Sequence, residues 1–148
     1  MTDKPCQSPS QTAEGTNPRP NSQVERCFLE LSGRPLRFEP TEKIGVIETP
    51  DYPSLGRLAA LRFLEWAGEN PEGAVSLPTG KTPEYFIKWT MRFLNSWDEP
   101  ETRRHLEQAG LGSRLRPRMA GLRFVQIDEF YPIEPSQHNS FHYYVTKH

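Results

Sequence analysis

No apolar run in this chain extends beyond a few residues, far short of the roughly 20 that a membrane-crossing helix needs, so no membrane partner is expected. The opening stretch Met1 to Pro9 also lacks the apolar centre of a secretory signal, which places the chain in the cytoplasm. An excess of charge of either sign is missing too. Eighteen Lys and Arg face 19 Asp and Glu, for a net charge of -1, so no basic surface recommends a nucleic-acid partner. Cysteine is scarce: Cys6 and Cys27 stand alone, without CxxC or a neighbouring His, and read as two plain thiols rather than a zinc site or disulfide framework.

What is present divides the chain unevenly. Residues 1–23 are polar and rich in Pro, Ser, Thr and Asn, and bury too little apolar surface to offset the entropy of ordering them, so they read as a disordered leader. Residues 24–42 form a connecting strap, in which Phe28, Leu29 and Leu31 are the sizeable apolar anchors of a short helix or extended piece between Val24 and Leu36.

From Lys43 to His148 the local patterns alternate. KIGVIE (43–48) reads as a strand, Pro50 to Pro53 as a turn, and Ser54 as the cap of a helix running through LGRLAALRFLEWAGE. AVSL (74–77) reads as a short buried strand. A helix then starts near Pro83 and carries Phe86, Trp89 or Thr90, Phe93 and Trp97 at helical spacing. A shorter helix covers about Glu101 to Gln108, the basic stretch RLRPRMAG (114–121) is a solvated loop, LRFVQI (122–127) is a strand, and a last helix runs from Ser140 to about Thr146. This order predicts an α/β fold: a Rossmann-like, open, mostly parallel sheet with helical crossovers.

Two segments carry candidate chemistry. In SLPTGKTPEYF (76–86), a strand, a Pro/Gly turn and a helix start follow one another. Thr79 and Thr82 offer hydroxyls, Gly80 lets backbone N–H groups approach an anion, Lys81 adds charge, and Pro83 suits a first helical position. These residues are candidate phosphate ligands; the competing reading is a helix cap alone. The nucleotide pattern GxxxxGK[ST] fails, because its first glycine would fall at Val75. In QIDEFYP (126–132), Asp128 and Glu129 lie at a strand's carboxyl end, the ligand edge of an open α/β sheet. Asp128 is the candidate base and Glu129 the residue that orients a hydroxyl or a partner side chain; the competing reading is an ordinary turn. His138 and His142 lie four apart without HExxH and read as polar contacts rather than metal ligands. The aromatics Phe130, Tyr131, Phe141, Tyr143 and Tyr144 read as packing for the last helix.

SLPTGKTP, FVQIDEFYP and HNSFHYY, in that order, resemble the amino-terminal part of the glucosamine-6-phosphate deaminase family. The resemblance spans about Lys43 to His148. It implies conversion of glucosamine 6-phosphate and water to fructose 6-phosphate and ammonia, with an amino sugar phosphate as the small-molecule partner and no cofactor or metal. Thr79, Gly80, Lys81 and Thr82 would hold the phosphate, Lys81 replacing a residue that is often small. Asp128 would move a proton between C2 and C1, with Glu129 beside it and Phe130 replacing the usual Tyr. The family continues well past this point with the His and Lys that complete its site, so the resemblance implies a truncated sheet, little activity for this chain alone, and a homo-oligomer only for a full-length form. The related 6-phosphogluconolactonases, with Arg after the acid pair, and a non-catalytic sugar-phosphate-binding module are the alternatives.

Overall fold

The computed structural model describes residues 22–32, 47–78 and 83–147. Among them are five helices and two short strands: α1 (Gln23–Leu31), α2 (Tyr52–Glu69), β1 (Ala74–Leu77), α3 (Glu84–Asn95), α4 (Pro100–Gln108), β2 (Arg123–Gln126) and α5 (Phe141–Lys147).

Each helix starts for a local reason. The Ser22 hydroxyl caps α1 by accepting from the Glu25 N–H at 3.0 Å. Ser22 and Gln23, grouped with the leader on composition, thus begin the first helix. Asp51, not Ser54, caps α2: its carboxylate accepts from the Ser54 N–H at 2.7 Å, and Pro53 occupies the first turn where no donor is needed. α3 begins at Glu84 with Pro83 as its cap residue, and Pro100 opens α4. Gly110, with φ of 76°, turns the chain after α4 in a conformation that other L-residues avoid.

The core is helical. Leu58, Leu61 and Leu64 of α2 pack with Phe93 and Leu94 of α3, Trp97, Leu106 of α4, Leu111, and Val24 of α1. Fully burying a Leu or Phe side chain contributes about 1.5–3 kcal/mol, so this cluster carries most of the fold's stability. α2 and α3 approach so closely that only glycine fits at position 56. A Cβ there would lie 2.7 Å from the Tyr85 carbonyl carbon and 2.9 Å from the Phe86 nitrogen.

The sheet does not form the core, which corrects the Rossmann-like expectation. β1 and β2 pair in parallel, with Ala74 opposite Arg123 and Leu77 opposite Gln126, but they are the whole sheet among the described residues. No side chain of either strand is buried. A doubly wound fold buries a parallel sheet between two helical layers; here the helices pack on one another and leave the pair at the margin. The molecule is a small, mostly helical domain with a minor sheet. Most of KIGVIE lies outside the described residues, and Ile47 to Thr49 are not strand.

No helix among the described residues is long and apolar enough to cross a membrane. Cys27 is disulfide-bonded rather than a plain thiol; Cys6 lies outside the described residues.

Candidate functional site

The parallel register decides which segments meet. Leu77 and Gln126 are partners at the carboxyl ends of their strands, so Pro78 and the segment starting at Ile127 leave the sheet along one edge. The candidate phosphate ligands Thr79, Gly80, Lys81 and Thr82 lie outside the described residues. Asp128 and Glu129 are both on this edge, and they differ sharply in environment.

Asp128 is exposed, and its side chain makes no hydrogen bond among the described residues. Its backbone carbonyl accepts from the Gln126 amide at 2.7 Å. Glu129 is saturated with donors. One carboxylate oxygen accepts the Phe130 and Phe141 N–H groups, each at 3.0 Å; the other accepts the Ser140 hydroxyl at 2.8 Å and the His142 N–H at 3.0 Å. Together these close the amino end of α5, whose first N–H groups have no partner within the helix. The buried Ser140 hydroxyl in turn accepts from the Tyr143 N–H at 3.3 Å. The rings of Phe130 and Phe141 meet at a tilt of 48° with centres 4.8 Å apart.

The donors set the charge of Glu129. The His142 N–H, with the Phe141, Ser140 and Phe130 donors behind it, pulls the carboxyl down from 4.5 to about 2 against a smaller opposing effect of desolvation. A group so held stays ionised and orients its donors, the Ser140 hydroxyl among them; its geometry ties the end of β2 to the start of α5. His142 joins through its backbone, and no group of three or more His, Cys, Asp or Glu side chains among the described residues could hold a metal.

A second carboxylate of this kind escaped sequence reasoning. Glu65, only 4% exposed, accepts the Ser22 hydroxyl at 2.5 Å and the Gln23 N–H at 2.6 Å, with Arg62 Nη1 at 3.5 Å. It fastens the start of α1 to the carboxyl-terminal half of α2. The one sequence clue was an acid on the same face as Leu58 and Leu61.

Large apolar side chains stand exposed on β2 and in the residues that follow it. Phe124 faces one side of β2, Val125 and Ile127 the other, and all three are exposed; Phe130 and Tyr131, the latter 98% exposed, extend the patch.

The chain matches no protein-family model, no curated protein and no solved structure. That result, with the helical core, overturns the assignment to the glucosamine-6-phosphate deaminase family. The deaminase activity and the lactonase and sugar-phosphate-module alternatives fall with it. The three motifs are short, and a strand leading into a Pro/Gly turn and a helix start is common local chemistry that many folds use.

Proposed function

We propose that this chain is a polypeptide-binding module that accepts an extended strand of a partner protein along β2. The observation that carries the reading is the exposure of Phe124, Val125 and Ile127 on both faces of a parallel sheet that has two strands among the described residues. Parallel strands ordinarily have both faces covered, and β2, with β1 as its one strand neighbour among the described residues, has a second edge whose backbone donors and acceptors lie in the sheet plane, where another chain can pair with them. Arg123 at one end and Asp128 at the other, both exposed, favour a partner strand with an acid near the first and a base near the second. The Glu129 carboxylate keeps the strand end and α5 in fixed relation beneath it.

The test uses the heptapeptide Lys-Val-Thr-Val-Thr-Val-Glu and the same peptide N-methylated at alternate residues, which deletes ladder donors. Saturable binding with slowed amide exchange across Phe124 to Ile127, lost with the methylated peptide and in Val125→Lys, is expected. Unchanged exchange at millimolar peptide, or equal binding of the methylated form, removes the proposal.

Cytoplasmic residence is likewise a proposal, and the disulfide at Cys27 counts against it because cytosolic thiols are kept reduced. A free-thiol titration of protein taken rapidly from cells decides the point.

A further inference from the structure

The outer edge of β2 is complementary to itself. The Arg123 N–H donates to the Gly73 carbonyl on the β1 side at 2.9 Å, and successive residues of a strand turn their backbone groups to opposite edges. Arg123 and Val125 therefore address β1, while the N–H and C=O groups of Phe124 and Gln126 point outward. Among the described residues β1 is the main element packed against β2. Natural sheets guard such an edge with a charge or a Pro inside the strand; between Arg123 and Asp128 stand only Phe124, Val125, Gln126 and Ile127. Resting on the reading that β2 accepts an extended strand, we propose that this strand is β2 of a second copy of the chain, running antiparallel about a two-fold axis at Val125.

A two-fold axis normal to the sheet pairs residues of the same face, which restricts the register to a few choices. Centred on Val125, it sets Val125 opposite Val125 of the second copy and Phe124 opposite Gln126 of the second copy. The outward backbone groups of Phe124 and Gln126 then meet their counterparts directly, as a hydrogen-bonded pair requires. Val125, 55% exposed, takes the close position between those pairs, and on the other face the two Phe124 rings become diagonal neighbours. Arg123 lies opposite Ile127 of the second copy, beside the Asp128 and Glu129 carboxylates that follow it, so unlike charges meet at both ends. Centring on Gln126 instead sets Phe124 against Asp128, and centring on Phe124 makes the two Arg123 side chains diagonal neighbours of like charge. One short strand from each copy falls below a standard interface, so the dimer is weak and forms toward millimolar protein.

The measurement is sedimentation equilibrium of the full chain from micromolar to millimolar concentration, with amide exchange followed at Phe124 and Gln126. The mass should approach twice that of the monomer at the upper end, and exchange at both residues should slow in step. Val125→Lys and Val125→Glu each place like charges face to face at the axis and should weaken association by roughly fivefold or more. Both should leave the unfolding midpoint in place, since Val125 is exposed. An equal mixture of the two variants sets opposite charges across the axis and should restore association. The heptapeptide Lys-Val-Thr-Val-Thr-Val-Glu competes for the same edge and should return the unmodified chain to monomer mass. A chain that stays monomeric at millimolar concentration, undiminished association in both variants, a mixture no better than its components, or a dimer indifferent to saturating peptide overturns the proposal. If the chain stays monomeric while the heptapeptide still slows exchange across Phe124 to Ile127, only the second copy is ruled out; if the peptide fails as well, the strand-accepting reading falls with it.

Discussion

Replacing Glu65 by Ala should loosen α1 from the rest of the molecule. The carboxylate accepts two short hydrogen bonds from the start of α1, from the Ser22 hydroxyl and the Gln23 N–H. Hydrogen bonds to a charged acceptor contribute about 1.5–3 kcal/mol each, so roughly 3–6 kcal/mol of interaction disappears. Removing the carboxylate also removes its own desolvation cost, which brings the expected net loss to about 2–3 kcal/mol. At roughly 4–8 °C per kcal/mol for a small domain, the melting midpoint should fall by about 8–24 °C. Glu65→Gln keeps the shape and one acceptor and should lose about half as much. Thermal and urea unfolding followed by circular dichroism measure these changes. A double-mutant cycle with Ser22→Ala isolates the contact, and the two losses should be distinctly non-additive. Loss of less than about 0.5 kcal/mol in Glu65→Ala, or simple additivity with Ser22→Ala, would refute the claim that this carboxylate anchors the first helix.

Further consequences concern pH and packing. Glu129 has a folded-state pKa of about 2 against an ordinary 4.5, so its contribution is fully present above 4.5 and is lost as pH falls toward 2. Amide exchange at Phe141 and His142 should accelerate across that window, and Glu129→Gln should abolish the dependence. His105, edge-on to Trp89 at 5.5 Å, is held below 6.5 chiefly by burial and then by the Arg57 charge. Its neutral form is the one the fold prefers, so its stabilising effect is complete above 6.5 and fades as pH drops below it; His105→Phe should flatten the unfolding midpoint between pH 7 and 5. Gly56→Ala should force α2 and α3 apart at Tyr85 and Phe86 and cost about 1–3 kcal/mol in a urea titration, despite alanine's better helix propensity.

Much of the secondary structure was legible in the chain itself. Pro and Gly punctuation, the apolar spacing in α2 and α3, and the runs AVSL and RFVQ are local properties, and local sterics and hydrogen bonding act on them wherever the chain goes. The cap of α2 was misplaced by three residues because DYPS offers two good capping side chains, and only the backbone path selects Asp51. Read alone, Asp128 and Glu129 were interchangeable acids at a strand end. Their difference arises from α5, whose first N–H groups come to Glu129 across a dozen residues of intervening chain.

What the sequence determined by itself was therefore a set of elements, the parallel sense implied by the helices lying between β1 and β2, and the lack of an apolar membrane span. The tertiary structure alone decided that α2, α3 and α4 bury their apolar faces against one another instead of against a sheet. A strand pattern states that a segment is extended, not how many neighbours it finds, because pairing and burial depend on residues far away in sequence. The same non-local packing joined Glu65 of α2 to Ser22 at the start of α1.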